Sequence, residues 1–423
     1  MSIFRRCRIV PLFLLAIFAS FFSEPCPAGE ADAPPRKIVG YFAAWTPTSR
    51  NPFTIKSVAD NGSAAKLTHL NYAFANVSNE LTCKLGNAET DINMPYSAAM
   101  SVDGVADEKS GLRGSFNQLR KLKLKFPNLK VMISIGGWTW SSKFSDASLT
   151  DESRKKFVAS AVDLYIKGNF TSELRGPGIF DGIDIDWEYP GQAGNSRNFR
   201  AEDKQNFTAL LAEFRKQLDE LGITDAKHYL LSIAAGAGNG PISKLEIDKI
   251  SPLLDQINIM CYDMHGAWDK TTNFHAPLFA ASDDPSHSRG CVDNAVQLFL
   301  KGGAPPEKLI VGLPFYGHGW KGVEPGPKGD GLFQPTGGNA GGGNDFKLLK
   351  DLAGFEKHHH PETKAFWLYS AEKKIFWSCD DPESIAEKMK YVVEKKLGGA
   401  MFWELSGDDS SGTLITAIEK GLK

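Results

Sequence analysis

Residues 181–190 read DGIDIDWEYP. Asp184, Asp186 and Glu188 alternate with Ile183, Ile185 and Trp187. Successive side chains of an extended strand point to opposite faces, so one face here is acidic and the other apolar. On a solvent-exposed edge strand this alternation would be ordinary. Its meaning therefore depends on what the rest of the chain builds around it.

Working outward, apolar strand-like stretches recur at 37–45, 67–75, 130–138, 180–188, 229–237, 256–264, 308–317 and 398–406. Helical periodicity fills several of the gaps, at 114–126, 151–168, 203–222 and 382–398, with Asp or Ser before several of these segments and Gly after several. Eight strands alternating with helices close most simply as an α/β fold, a (β/α)8 barrel. A doubly wound open sheet is the competitor, but YFAAWTPTS after the first strand is not a Gly-rich phosphate turn. The chain is longer than a bare barrel needs. The surplus lies between the seventh and eighth strands, where a Gly/Pro-rich stretch precedes TKAFWLYSAEKKIFWSCDD, which reads as a β-hairpin. A small α+β subdomain is expected over about 321–380, inserted into a barrel spanning 36–423.

A closed barrel has no edge strand. Ile183, Ile185 and Trp187 must then face the helices, and Asp184, Asp186 and Glu188 must point into the barrel, with Glu188 last, at its mouth. Stacked acids in an interior usually filled by branched apolar side chains are costly, and crowding raises their pKa values. A carboxyl group kept protonated near neutral pH is what a general acid requires.

The other termini of the predicted strands add to this picture. In INIMCYDMHG (257–266), alternation puts Met260, Tyr262 and Met264 on the inward face and Cys261 and Asp263 on the other, or at the bend. Trp45, Trp138, Trp187, Trp320 and Trp403 all fall at or near strand C-terminal ends. Trp187 belongs to the outward, packed face; the recurrence of the others at the mouth fits platforms for flat ligands such as sugar rings.

The chain carries 48 Lys plus Arg against 50 Asp plus Glu, a net charge of -2. No basic field exists to hold nucleic acid or an anionic membrane surface, so neither is expected as a partner. Arg5, Arg6 and Arg8 precede an apolar run from Val10 to Phe22, followed by small and polar residues. That is the order of a secretory signal, ending near residue 28, and the run is short for a span of roughly 20 residues. The protein is expected to be secreted, extracellular and monomeric. Four cysteines follow the leader, Cys83, Cys261, Cys291 and Cys379, and their spacing does not choose among three disulfide connectivities. Sequons begin at Asn61, Asn76, Asn169 and Asn206. His358, His359 and His360 invite a metal reading, but no carboxylate or further histidine cluster accompanies them, and a solvated loop is expected. No cofactor or metal is called for.

The segment FDGIDIDWEYP resembles the D-x-x-D-x-D-x-E signature of family 18 glycoside hydrolases, the chitinases. SIGGW (134–138), MCYDMHGAWD (260–269), GLPFYGHGW (312–320) and MFWELSGD (401–408) are similar to that family's other strand motifs and occur in the same order. The resemblance spans roughly 36–423 and implies a retaining, substrate-assisted hydrolysis of β-1,4 linkages in chitin or chito-oligosaccharides. It makes Glu188 the proton donor. Asp186 would orient the substrate acetamido group, Asp184 would tune Asp186, and Tyr262 would bond the acetamido oxygen. Trp403 would floor the cleavage point. Tyr41, Phe74, Gly137, Trp138, Tyr189, Met260, Asp263 and Tyr316 match positions that line the cleft. His318 departs from the arginine many relatives carry there. Cys291 opens the helix after the sixth strand, which leaves a Cys261–Cys291 bridge open. A non-catalytic lectin on the same barrel, an N-acetylglucosaminidase acting on glycans or peptidoglycan, and a divalent-metal site built on the acids are the competing readings; retention of Glu188 argues against the lectin.

Overall fold

The computed structural model describes Met1 and residues 35–423. The predicted leader, with Cys7 and Cys26, lies outside the described residues. Among the described residues thirteen strands occur in chain order: β1 (Lys37–Ala43), β2 (His69–Val77), β3 (Cys83–Lys84), β4 (Lys130–Gly136), β5 (Gly182–Asp186), β6 (Leu230–Gly236), β7 (Gln256–Met260), β8 (Leu309–Pro314), β9 (His318–Lys321), β10 (Glu356–His359), β11 (Phe366–Ser370), β12 (Ile375–Cys379) and β13 (Gly399–Trp403).

The main sheet runs β1-β13-β8-β7-β6-β5-β4-β2, and β1 also pairs with β2, so eight parallel strands close into a barrel; β3 is a short antiparallel addition to β2. These are the eight strands anticipated from sequence. The intervening helices Gly114–Lys125, Asp151–Ala161, Asp203–Asp225, Val292–Lys301, Pro382–Glu394 and Thr413–Leu422 cover its outside. Three begin with a side-chain cap: Thr150 accepts from the Ser153 N–H at 3.1 Å, Asp381 from the Ser384 N–H at 2.9 Å and Cys291 Sγ from the Asn294 N–H at 3.4 Å.

Most of the core lies between barrel and helices. Ile183 and Ile185 on β5 are fully buried there with Ile133, Ile135, Leu231, Ile233, Phe157, Leu210 and Phe214. Trp187 joins them, stacked on Phe144 at 5.5 Å. The interior of the barrel is different in kind. A small apolar cluster (Val39, Tyr41, Ala73, Ile310, Met401) shares it with buried Asn71, Ser134, Asp184, Ser232 and Asn258. Branched apolar residues would normally fill this space.

Between β8 and β13 the chain forms a separate antiparallel sheet, ordered β10-β11-β12-β9. The hairpin is β11–β12, with Phe366 opposite Cys379. The sheet starts at His318, because β9 continues almost directly from β8 rather than after a linker. This position decides the fate of Trp320. It is not a platform at the barrel mouth: it is fully buried in the sheet's own core with Phe376, Trp367 and Val323.

Two other expectations are corrected here. The three histidines are not a solvated loop. His358 and His359 belong to β10, His358 stacks on Trp367 at 4.9 Å, and His359 Nε2 lies 3.0 Å from Asp381. His360 is buried and accepts the Thr363 N–H. Cys83, Cys261, Cys291 and Cys379 are all free and buried, so the Cys261–Cys291 bridge is not formed. Among the described residues no helix is long and apolar enough to cross a membrane.

Candidate active site

The inward face of β5 carries Asp184 and Asp186, and Glu188 follows two residues past the strand's end. Three adjacent elements hold this end of the strand. Gly136, at the end of β4, has φ +111° and sits so close that a Cβ would come within 2.3 Å of the Asp186 carbonyl oxygen. Only glycine allows both that conformation and that approach. Ser141, 1% exposed, donates to the Gly137 and Asp186 carbonyls and accepts the Glu188 N–H at 2.9 Å. Asp203, at the start of the next helix, accepts from Ser145, the Gly191 N–H and the Arg200 N–H, and so pins the loop after Glu188.

The three acids occupy three distinct environments. Asp184 is fully buried and accepts hydrogen bonds from Tyr41 (2.8 Å), Ser134 (2.8 Å), Ser232 (2.5 Å) and Asn258 (3.2 Å). Burial raises its pKa, and those four donors oppose the rise. Asp186 is almost as deep, at 4% exposed, yet its Oδ1 has no partner. Burial, then the charges of Glu188 and Asp184, push its pKa well above the ordinary carboxylate range. Glu188, 9% exposed, is raised to about 7, first by burial, with a hydrogen bond to Tyr189 opposing and the Asp263 charge adding.

Asp186 and Glu188 floor a cleft of about 690 Å³. Tyr41, Phe74, Trp138, Tyr189, Met260, Tyr262, Asp263, Tyr316 and Trp403 line it together with Asp186 and Glu188. Asp184 lies beneath them. Gly137 is the exception: it is buried, and a Cβ on it would strike the Phe74 ring at 2.6 Å, so it supports that ring rather than lining the wall. Trp403 stacks on Phe74 (centroids 5.5 Å, planes 15° apart) and touches Trp45, which makes a continuous aromatic bank. Trp45 and Trp138 are each 52% exposed, free to present a face.

Strict alternation would send Asp263 away from the cleft. It has φ +57°, a left-handed turn that brings it onto the cleft wall. Its Oδ1 receives the Tyr316 hydroxyl and faces His318 Nε2, both at 2.7 Å, and its N–H is donated to His275 Nδ1. Against burial, which would raise it, hydrogen bonding from His318 and the charges of the two histidines hold the Asp263 pKa low. Asp263, His275 and His318 are also the one metal-like grouping among the described residues. Their atoms already bond one another. The acid stack itself has no histidine beside it.

Sequence reasoning passed over Trp140, Ser141, Ser232 and Asn258. Trp140 lies two residues past Trp138, on the cleft wall. Ser232 and Asn258 were readable: each sits on the inward face of a predicted strand, Ser232 directly in register with Asp184.

Comparisons with known proteins agree with this geometry. Residues 37–408 match the model of the glycosyl hydrolases family 18. The chain is 40% identical to chitinase A1 of Niallia circulans, over 94% of this chain and 60% of that protein. It is 37% identical to chitinase C of Streptomyces lividans, over 88% of this chain and 58% of that one. The chain thus spans about three-fifths of the length of these relatives. Among solved structures, the catalytic domain of psychrophilic chitinase B from Arthrobacter TAD20 superposes with a TM-score of 0.85 at 40% identity, covering 92% of this chain and 95% of that one. With its closed barrel, its inserted sheet and a family match across nearly all of the described residues, the chain belongs to the glycosyl hydrolases of family 18.

Proposed function

We propose that the protein is a secreted chitinase that cleaves β-1,4 bonds between N-acetylglucosamine units with retention, using the substrate's own acetamido group as nucleophile. The observation that carries this reading is the graded acid stack. Glu188, at the cleft and poised near neutrality, protonates the glycosidic oxygen. Asp186 is the next acid inward and meets the acetamido N–H, which turns the carbonyl oxygen toward the anomeric carbon. The Tyr262 hydroxyl steadies that oxygen; burial and the nearby carboxylates keep it protonated. The carbonyl attacks as the bond to the leaving sugar breaks, and an oxazolinium ion forms. Asp184, held by four donors, supplies negative charge beneath this cation. Water, deprotonated by Glu188, then opens the ring and restores the starting state. Trp403, Phe74 and Trp45 give the sugar rings an apolar bank.

The chemistry is tested by the substrate. Chitin oligomers of defined length are expected to give products that are initially β-anomers by NMR. Fully deacetylated chitosan of the same length, which lacks the nucleophile, should be cut at a negligible rate. Equal rates on the two, or a sugar ester trapped on Asp186, would overturn the substrate-assisted route.

A further inference from the structure

The Asp263 carboxylate reaches the cleft wall because its backbone is left-handed, with φ +57°. An extended residue at this point would carry the side chain to the outward face. Left-handed backbone is unfavourable for a residue with a Cβ and persists where its surroundings hold it. One residue, His275, holds it here from two sides. The His275 ring accepts the Asp263 N–H on Nδ1 at 3.1 Å, and the His275 carbonyl accepts the next N–H, that of Met264, at 3.0 Å. The fully buried ring also packs against both side chains that bond the carboxylate, with centroids 4.8 Å from Tyr316 and 4.4 Å from His318.

The first of these contacts fixes the state of the ring. A neutral imidazole has one donor and one acceptor nitrogen, whereas an imidazolium has two donors. Because Nδ1 accepts, the proton sits on Nε2, which has no partner among the described residues. Burial first, then the nearby His318, pushes the His275 pKa well below the ordinary histidine range; Asp263 opposes and Lys388 adds to the lowering. The ring therefore stays an acceptor for the Asp263 N–H through the neutral range.

His275 is in turn held by the inserted sheet. Its N–H donates to the buried Ser378 Oγ on β12 at 2.9 Å. Phe274 packs into that sheet's core against Trp367, with centroids 5.6 Å apart. Thr272 donates to the Gly331 carbonyl at 2.7 Å, and the Leu278 N–H donates to the Thr363 carbonyl at 2.9 Å. The segment 272–278 follows β7 in the chain, yet the insertion fixes it in place.

We propose that His275 is a positioning residue: with Ser378 it ties the left-handed turn at Asp263 to the inserted sheet, and so sets where that carboxylate stands relative to Glu188. This rests on the chitinase reading above and goes beyond it by giving the insertion a part in tuning the proton donor. The ionisable groups facing Asp263 are His275, Tyr316 and His318, its neighbour Tyr262, and Glu188 and Tyr189, which share the cleft. Those facing His275 add Lys388 from the helix Pro382–Glu394, whose charge is paired with Asp380. Those facing Glu188 add Asp186. The Asp263 charge is one of the causes that raise the Glu188 pKa. With the clamp lost, the carboxylate turns outward, its charge recedes, and Glu188 ionises at lower pH.

Two substitutions separate the hydrogen bond from the packing. His275→Asn removes the ring but keeps an acceptor, since an asparagine Oδ1 stands as many bonds from Cα as a histidine Nδ1. His275→Leu fills the space and has no acceptor. In pH profiles of kcat/KM on a chitin oligomer, the basic limb of His275→Leu should move down by about half a unit, while His275→Asn keeps the wild-type limb. Ser378→Ala should move the limb the same way by about 0.3 unit. Asp263→Asn combined with His275→Leu should show the limb of Asp263→Asn alone, because His275 acts through that carboxylate. A limb that stays in place in folded His275→Leu, shifts that add in the double variant, or an asparagine variant that behaves as the leucine one would overturn the proposal. If His275→Leu does not fold, the other two variants still decide: a shifted limb in His275→Asn or an unshifted one in Ser378→Ala refutes it. Glu188→Gln separates this inference from the functional reading. If that variant stays active, the reading itself is wrong; if it is dead while the limbs disagree with expectation, only the role of His275 falls.

Discussion

Glu188 stands about 2.5 pH units above an ordinary glutamic acid, since its pKa is raised from 4.5 to about 7. At about 1.36 kcal/mol per unit this is on the order of 3 kcal/mol against the ionised form. Burial is the largest cause, and the Asp263 charge works in the same direction. A raised pKa keeps the acid protonated up to about 7, so activity limited by Glu188 is present below that pH and lost as pH rises through it. Asp263→Asn removes the neighbouring charge, while the amide oxygen can still accept from Tyr316 and His318. The Glu188 pKa should fall, and the basic limb of kcat/KM should move down with it, by roughly one unit for a charge acting across the cleft. A group half-protonated at pH 7 would then be about one-tenth protonated there, a loss of about fivefold at pH 7 beyond any uniform effect on binding. The assay is kcat/KM on a soluble chitin oligomer between about pH 4 and pH 9, compared by curve shape rather than height. A basic limb that stays in place or moves up, in a variant with wild-type Tm, would refute the electrostatic account of the proton donor.

Glu188→Gln should lower kcat by roughly 10²–10⁴-fold or more, about 3–5.5 kcal/mol, with oligomer binding retained in calorimetry; near-normal turnover would place the acid elsewhere. Trp403→Ala should weaken oligomer binding by roughly tenfold or more, since about 1.5–3 kcal/mol of apolar ring contact is lost, while the barrel stays folded; a collapsed Tm would make Trp403 a core residue instead. Lys388 and Asp380 form a fully buried ion pair with both carboxylate oxygens within 2.7 Å of Nζ. Lys388→Met strands that carboxylate and should cost about 3–5 kcal/mol, roughly 4–6 °C in Tm, and pairing it with Asp380→Leu should recover part of the loss. If Lys388→Met leaves Tm unchanged, the pair does not contribute as its burial implies.

The barrel was legible because its strands are short apolar runs at a regular spacing, and eight of them leave no edge on which an acidic face could be wetted. From that, the inward direction of Asp184, Asp186 and Glu188 follows by alternation alone. Alternation left Asp263 either on the outward face or at the bend; a left-handed residue past the end of β7 puts it at the bend and on the cleft wall, and backbone sign is not written in the pattern of apolar and polar residues. The reading of Trp320 failed. A tryptophan a few residues past a strand end looks alike whether it lies in a loop at the mouth or in a second sheet, and here it lies within β9. The histidine run was misread because its contacts come from elsewhere in the chain: Trp367 on β11, Thr363 in the turn before it, and Asp381 capping the helix after β12. The supporting donors Ser232 and Asn258 went unnoticed although their positions were predicted, because serine and asparagine carry no signature until the acid they serve is placed beside them.

The closure of the barrel by β1 against β13 has a consequence for how the protein is made. Lys37 lies opposite Gly399, so the first described strand to leave the ribosome waits for the last, β13, before it gains its second neighbour. Without that closure the barrel interior that holds the acid stack stays open on one side, although Tyr41, 143 residues from Asp184, is already aligned through β2 and β4. Enclosing the two carboxylates thus needs the closing pair β1–β13 as well as the strands that carry Tyr41, Ser134, Ser232 and Asn258. A chain cut short before β13 would keep its helices' apolar faces and its acids exposed together, which makes truncated products aggregation-prone substrates for proteolysis rather than partly active enzymes.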